Sequence, residues 1–307
     1  MKKTQLIAAL ALTLLLSGTA LAAPMQVTVS ILPLKYFVEK IGGDHVEVNV
    51  MVRPGSSPAT YEPQPKQMAQ LSRADVYFAI GVPFERAWLP RFKSANSKLN
   101  IVDLGESVVR IPMQNHVHSE EQAEEHHEPD RHDHEDEFLA DPHIWLSPAL
   151  ARIMSMQIRD TLSGIDPANS KEYRANQLSL AEEISRLDEE LLKMFSGGQG
   201  GTSFMVYHPS WGYFARCYGL RQIPIEIEGK EPSPKELGQL TEFAKRNSVT
   251  AIFVQPQFSR KSAEAIASSI GAKVLVADPL AEDWAENLRK AARTFYQDAR
   301  QAGPENF

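Results

Sequence analysis

Near the middle of this 307-residue chain, residues 166–195 have the sequence DPANSKEYRANQLSLAEEISRLDEELLKMF. Asp166 followed by Pro167 predicts a helix start, with aspartate as the N-cap and proline at the first helical position. Apolar residues then recur every three or four positions and form one stripe along a helix, at Leu180, Ile184, Leu187, Leu191 and Met194. Over residues 167–195 such a helix extends ~43 Å, more than the expected width of one lobe. We therefore predict a long backbone helix that contacts two lobes; a helix packed inside one lobe is the alternative.

Short apolar runs rich in β-formers alternate with helical patterns on both sides of this helix. Such alternation predicts parallel sheets and an α/β fold. The expected strands are 27–31, 46–52, 76–80, 99–104, 204–207, 222–227, 251–254 and 273–277. At ~100 to 200 residues per domain, the length predicts two lobes. We place the N-terminal lobe at 24–148, a linking helical segment at 149–198 and the C-terminal lobe at 199–307.

The first 23 residues have the pattern of a cleavable secretory signal peptide. Lys2 and Lys3 precede the apolar stretch 6–16, and the small-residue pattern Ala-Leu-Ala follows at 20–22. The apolar stretch is too short to span a bilayer comfortably, and no later segment approaches ~20 apolar residues. No cysteine follows the signal to carry a lipid. We expect a periplasmic protein that is not a lipoprotein.

The net charge argues against a nucleic-acid partner, and the cysteine content excludes an intramolecular disulfide. Without Lys2 and Lys3, 30 of the 32 basic residues remain against 39 acidic ones, a formal charge of −9, so we expect no nucleic-acid partner. Cys217 is the only cysteine, which rules out an intramolecular disulfide. Stability must come from packed cores, and we expect a monomer.

Residues 116–137, HVHSEEQAEEHHEPDRHDHEDE, contain six of the nine histidines and ten carboxylates. This segment, the histidine-rich loop, has too few apolar residues to form a core, and we predict that it is disordered. Imidazole and carboxylate groups are ligands of first-row metals, and the paired spacing lets two rings approach one ion. We predict that the loop binds divalent metal; a plain solvated acidic linker is the alternative. Its histidines are His116, His118, His126, His127, His132 and His134.

Three other metal-competent side chains lie where a cleft between lobes is expected. His143 belongs to a loop that leads into a helix at Ser147-Pro148, with serine as its N-cap. His208 follows the expected strand 204–207, and Asp278 follows the strand 273–277. Open α/β sheets bind ligands outside the carboxyl ends of their strands. We predict an interlobe metal cleft from the three together; for each residue taken alone, a packed histidine or a turn is the alternative.

Several segments together resemble the solute-binding proteins of zinc and manganese ABC transporters across essentially the whole mature chain. They are PGSSPATYEPQPKQ (54–67), DPHIWLSP (141–148), DPANSKEYRAN (166–176), YHPSWGYFARCYGL (207–220), IEGKEPSPKEL (227–237), FVQPQFS (253–259) and ADPL (277–280). The resemblance implies two α/β lobes joined by one rigid helix, with the metal held between them. It also implies that an acidic, histidine-rich loop is a trait of zinc importers.

The resemblance places the family's second, third and fourth ligand positions on His143, His208 and Asp278. A histidine at the third position implies zinc, because manganese members are expected to have a carboxylate there. The first ligand position is occupied by Ala59, which cannot coordinate metal. The fourth coordination position of zinc then falls to water, to Glu62 or to an imidazole of the histidine-rich loop. We favour water or the loop.

The function implied is capture of Zn²⁺ in the periplasm and its delivery to the membrane permease of an ABC importer, without catalysis. Neutral imidazoles are required, so metal should be lost below about pH 6. One alternative is a periplasmic zinc buffer or chaperone that acts mainly through the histidine-rich loop. Another is an exported zinc hydrolase, which we disfavour because no motif such as H-E-x-x-H supplies a general base next to the ligands.

Overall fold

The computed structural model describes residues 23–113, 140–196, 203–226, 230–247, 249–258 and 260–301. The histidine-rich loop and all but the last residue of the expected signal peptide lie outside these residues. Within the described ranges, no helix has both the length and the apolar composition that crossing a membrane requires.

The N-terminal lobe contains a sheet of four parallel strands. They are β1 (Met25–Val29), β2 (Val46–Val50), β3 (Val76–Ala79) and β4 (Asn100–Asp103), in the order β2-β1-β3-β4. Three helices accompany them: α1 (Leu32–Gly42), α2 (Pro65–Leu71) and α3 (Pro83–Ala95). Every residue of β3 is buried, as expected for a central strand of a parallel sheet. The predicted alternation of strand and helix is confirmed in this half.

Two helices follow, α4 (Pro148–Ile165) and α5 (Ser170–Ser196). The predicted start of α4 is confirmed, because Ser147 Oγ accepts a hydrogen bond from the Leu150 amide at 3.4 Å. The predicted helical start at Pro167 is confirmed, although the first turn, Pro167–Asn169, is a 3₁₀ helix and the α-helix itself begins at Ser170. Asp166 occupies the N-cap position of that 3₁₀ helix without a side-chain capping hydrogen bond, and its Oδ2 accepts from Asn169 Nδ2 and from Tyr173 OH, both at 2.7 Å.

The C-terminal lobe repeats the topology of the first. Its parallel strands are β5 (Ser203–Val206), β6 (Arg221–Pro224), β7 (Ala251–Val254) and β8 (Lys273–Val276), in the order β6-β5-β7-β8. Its helices are α6 (Gly212–Cys217), α7 (Pro234–Arg246), α8 (Lys261–Ile270) and α9 (Trp284–Gln301). The short helix α6 is not among the predicted elements, because six residues are too few to show a helical period.

The long helix α5 contacts both lobes, which confirms its predicted role. Glu183 Oε1 accepts from Tyr36 OH of α1 at 2.7 Å, and Glu190 Oε2 accepts from Arg289 Nε of α9 at 2.8 Å. One hydrophobic cluster runs from the N-terminal lobe through α4 and α5 into the C-terminal lobe. The lobes therefore share a core, and this favours small relative movements over a wide hinge.

Two tryptophans also tie the lobes together by hydrogen bonds. Trp145 Nε1 donates to the carbonyl of Pro279 at 2.8 Å, and Trp284 Nε1 donates to the carbonyl of Trp145 at 2.6 Å. Both indoles are almost completely buried. The loop that contains His143 is thus attached to the segment that follows β8.

Candidate metal centre

A cavity of about 60 Å³ lies between the lobes, with His143 and His208 in its lining. At roughly 10 to 15 Å³ per water-sized group, it can hold an ion and a few waters. Ala59 also lines it, so the position where the resemblance expects a ligand does face this cavity. Much of the remaining wall is apolar and includes Val82, Pro83, Met113, Phe258 and Leu280.

His143 is held in the cavity wall by Asp141. The Asp141 Oδ1 atom accepts from the His143 backbone amide at 2.9 Å and pairs with the His143 Nδ1 atom at 2.7 Å. Asp141 is 1 % exposed and His143 is 7 % exposed, so the pair is shielded from water. With Nδ1–H donated to the carboxylate, Nε2 is the nitrogen left for a metal.

His208 has the same arrangement in the other lobe. It follows β5, and its Nδ1 atom pairs with Oε1 of the buried Glu226, which follows β6, at 2.6 Å. Gln255, after β7, anchors the backbone of His208: its Nε2 donates to the His208 carbonyl at 2.7 Å, and its Oε1 accepts from the His208 amide at 3.3 Å. Phe258 stacks on the imidazole, with ring centroids 5.0 Å apart.

The two imidazoles face each other across the lobe boundary. Their ring centroids are 5.2 Å apart and their planes are inclined at 69°. Burial lowers the pKa of His143, although the charge of Asp141 and its hydrogen bond act in the opposite direction. The imidazole is therefore biased toward the neutral form that binds metal. The two buried carboxylates behind the rings would offset part of a cation's charge.

Asp278 does not line the cavity. The two residues that follow it, Pro279 and Leu280, do, and so does its hydrogen-bond partner Gln257. The Asp278 Oδ1 atom accepts from the Leu280 amide at 2.9 Å and from Gln257 Nε2 at 3.2 Å. In the described part of the chain, no group of three or more histidine, cysteine or acidic side chains is arranged to hold a metal ion. The structure thus brings His143 and His208 together and leaves Asp278 outside their immediate contact.

Glu62 and the histidines of the loop complete the set of predicted site residues. Glu62 is exposed and is not part of the cavity lining. The six loop histidines lie outside the described residues.

Sequence reasoning assigned no role to Asp141, Glu226 or Gln255. A signal for Asp141 existed, because an aspartate two residues before His143 can accept a hydrogen bond from that residue's amide. Glu226 lies 18 residues beyond His208 and approaches it only because β6 pairs with β5. That contact needed the strand order, which alternation alone does not provide.

Glu85, at the start of α3, holds the loop that forms the cavity wall contributed by Val82 and Pro83. Its Oε1 accepts from the Ile80 amide at 3.0 Å, and its Oε2 accepts from the Gly81 amide at 2.7 Å. Ser30, which follows β1, also hydrogen-bonds to this carboxyl group. Glu85 is 2 % exposed, and burial raises its pKa to about 7.

Residues 27–298 match the protein family described as ZnuA, "Zinc-uptake complex component A periplasmic". The chain is 29% identical over 277 residues to the zinc-binding protein AdcA of Streptococcus pyogenes serotype M3, covering 89% of this chain and 53% of AdcA. It therefore spans about half the length of the AdcA relatives it matches.

A second relative is covered more completely. The high-affinity zinc uptake system protein ZnuA of Bacillus subtilis strain 168 is 30% identical over 258 residues, which is 83% of this chain and 78% of that protein. Among solved structures, a crystal structure of ZnuA matches with a TM-score of 0.80 and 42% identity, over 90% of this chain and 99% of the other.

Proposed function

Because this chain belongs to the ZnuA family of periplasmic components of zinc-uptake complexes, we propose that it captures Zn²⁺ between its lobes and delivers the ion to the membrane permease of an ABC importer. The zinc is cargo, and the protein catalyses nothing. The named relatives are zinc-binding and zinc-uptake proteins rather than enzymes, which argues against the hydrolase alternative.

One observation carries the proposal: two imidazoles, each backed by a buried carboxylate, face each other at 5.2 Å in an interlobe cavity. Zn²⁺ binds neutral imidazole readily, and a carboxylate on the second ring nitrogen orients the ring and raises its basicity. In this proposal, Nε2 of His143 and Nε2 of His208 bind the ion first.

Asp278 is the third ligand in this proposal and joins the site when zinc arrives. Both of its described hydrogen bonds are accepted by Oδ1, so Oδ2 is the atom that would bind zinc once the segment moves toward the cavity. Leu280, one of the two donors, lines the cavity. Movement of this segment would then distinguish loaded protein from empty protein, a difference that the permease needs for recognition.

Water is the ligand we favour for the fourth position, with an imidazole of the histidine-rich loop as the alternative. Ala59 lines the cavity without offering a donor, and the cavity volume admits a water beside an ion. Glu62 is disfavoured because it is exposed and outside the lining. A metal-bound water would leave this site weaker than one with four protein ligands.

The protein's cellular location, its oligomeric state and its lobe boundaries complete the proposal. We propose a periplasmic location, on the basis of the signal-like residues 1–23 and the family's periplasmic description. The unlipidated and monomeric states stay predictions. The lobe boundaries at 24–148 and 199–307 stay a prediction. Within the linking segment, α4 and α5 pack against each other and share the core of both lobes.

A calorimetric zinc titration of the mature protein and of a variant lacking residues 116–134 tests the importer against the buffer. The importer predicts that one tight equivalent of zinc survives the deletion, because His143 and His208 remain. A buffer that stores zinc mainly in the histidine-rich loop predicts that most bound zinc disappears. Removal of the loop without loss of the tight equivalent would therefore exclude the buffer.

A further inference from the structure

Met113 places a soft sulfur donor in the same cavity as the two imidazoles. It is half-buried and shares the lining with His143, His208 and Ala59. Zinc capture has no use for it, because a thioether is a poor partner for Zn²⁺ beside imidazole and carboxylate. Its presence at a metal centre that lacks its usual first ligand needs a separate explanation.

The backbone next to Met113 is tied to the loop of His143. The amide of Asp141 donates to the carbonyl of Ile111 at 2.9 Å, and the Ile111 amide donates to Tyr213 OH at 3.1 Å. Pro112 pairs with Ala140 in an antiparallel bridge. The segment that carries the thioether is therefore hydrogen-bonded to Asp141, the residue that orients His143. These backbone contacts hold Met113 beside the cavity.

The donors already lining the cavity suit a soft, low-coordinate ion better than zinc. The nitrogen and sulfur donors are two imidazoles and one thioether, since Ala59 supplies no donor and Asp278 does not line the cavity. Two oxygen-bearing side chains also line it, but the Ser57 hydroxyl already accepts from the Ala59 amide and the Gln257 amide already donates to Asp278. Thioether ligands select Cu(I), which accepts two or three nitrogen and sulfur donors. Zinc prefers four ligands and needs Asp278 and water to reach that number.

The apolar wall adds a second reason. The cost of desolvating an ion rises with the square of its charge, so a monovalent ion enters a wall of proline, valine, phenylalanine and leucine side chains more easily than a divalent one. The buried Asp141 and Glu226 behind the imidazoles still provide compensating charge at a distance.

We propose that the cleft also binds Cu(I), or its redox-stable analogue Ag(I), through Nε2 of His143, Nε2 of His208 and Sδ of Met113. This inference rests on the proposed zinc function for the two histidines and adds Met113 as the residue that sets selectivity. Zinc and the soft ion share the imidazoles and so compete, but only the soft ion uses the thioether.

Silver titration of the mature full-length protein, labelled with ¹³C at its methionine methyl groups, tests this directly. One equivalent of Ag⁺ should shift the NMR signal that is missing from Met113→Leu, whereas one equivalent of Zn²⁺ should leave it nearly in place. Met113→Leu should bind Ag⁺ at least 10-fold more weakly and Zn²⁺ within twofold of wild type. Met156→Leu, at an exposed position outside the cavity lining, is the matched control and should change neither affinity.

Two outcomes overturn the inference: an unmoved Met113 signal, or unchanged Ag⁺ affinity in Met113→Leu. Because the readout is the Met113 methyl group itself, silver bound by histidines elsewhere does not contribute to it. His208→Ala separates the two proposals. If His208→Ala loses tight zinc and Met113→Leu retains wild-type silver affinity, the zinc proposal stands and only the soft-metal inference fails. If His208→Ala retains tight zinc, the zinc proposal fails, and the soft-metal inference that rests on it fails too.

Discussion

The two lobes share one strand order but use the ends of their central strands differently. In the N-terminal lobe, Ser30 follows β1 and the backbone after β3 turns inward to Glu85, a buried carboxyl group that hydrogen-bonds to both. In the C-terminal lobe, His208 follows β5, with Gln255 on its backbone and Glu226 on its ring. Each lobe buries one carboxyl group at this place, but only the second one supports a group that can bind metal.

This difference shows that the strand order creates a crevice in each lobe, and that the side chains in the crevice determine whether it binds metal or stabilises the fold. The strand order opens a crevice between β1 and β3 in one lobe and between β5 and β7 in the other. In the first crevice, Glu85 accepts hydrogen bonds from the backbone after β3 and so stabilises the cavity wall. In the second crevice, Glu226 hydrogen-bonds to the imidazole of His208. We expect changes to the first carboxyl group to alter stability and changes to the second to alter metal affinity.

The largest expected effect is the contribution of Glu85 to the pH dependence of stability. Its pKa is raised from 4.5 to about 7 in the folded protein, so between these values the folded state binds more protons than the unfolded state. The stabilisation from the protonated Glu85 carboxyl group is fully present below about pH 4.5 and is lost as the pH rises through 7, a total loss of about 3 kcal/mol. Denaturant unfolding from pH 4.5 to 8 should therefore show a shallower loss of stability in Glu85→Gln than in wild type.

The matched comparison for that series is Glu226→Gln, which should keep most of the wild-type slope. If the unfolding free energies of wild type and Glu85→Gln fell in parallel with rising pH, Glu85 would not contribute to the pH dependence of stability. The zinc affinity of Glu85→Gln should change much less than its stability.

The next effect concerns the carboxylates behind the two imidazoles. Glu226→Ala removes the partner of His208 Nδ1 and should weaken zinc binding by about 10- to 100-fold, because the ring loses both its orientation and its fixed tautomer. Asp141→Ala should behave alike at His143. Competition against a chromophoric zinc chelator measures both changes. Recovery of part of the affinity in Glu226→Gln or Asp141→Asn would indicate positioning, and full wild-type affinity in the alanine variants would contradict it.

A smaller effect is expected where the lobes are hydrogen-bonded to each other. Trp284→Phe deletes the indole donor to the Trp145 carbonyl while keeping an aromatic ring in the shared core. Loss of this buried hydrogen bond should lower the unfolding free energy by about 1 to 3 kcal/mol. Thermal unfolding measures it, and a single cooperative transition should remain because one core spans both lobes. Separate unfolding of two lobes would show that the shared core does not couple them.

The smallest effect is expected at Glu62. Its side chain is exposed and outside the cavity lining, so Glu62→Gln should leave zinc affinity within twofold of wild type. A titration beside wild type suffices. A tenfold loss would make Glu62 a ligand and would displace water from the fourth position in the proposal.

Much of the fold is predictable from the chain because alternating apolar runs specify parallel strands directly. The 3₁₀ form of the first turn before α5 is not, since the sequence does not show that the Asp166 carboxylate bonds to Tyr173 OH and Asn169 instead of capping the helix with its side chain. In the candidate site, His143 and His208 are found from their places at loop and strand ends. Glu226 is not, because its contact depends on which strands become neighbours.

If the imidazoles of His143 and His208 together form the zinc site, removing one of them should abolish tight binding, and a calorimetric zinc titration of His208→Ala measures this. His45→Ala is the matched control, because His45 is also ordered and pairs with a glutamate, Glu172, but lies outside the cavity lining. We expect His208→Ala to lose the single tight zinc equivalent and His45→Ala to retain it at wild-type affinity. A tight equivalent that persists in His208→Ala would show that the two imidazoles do not form the zinc site.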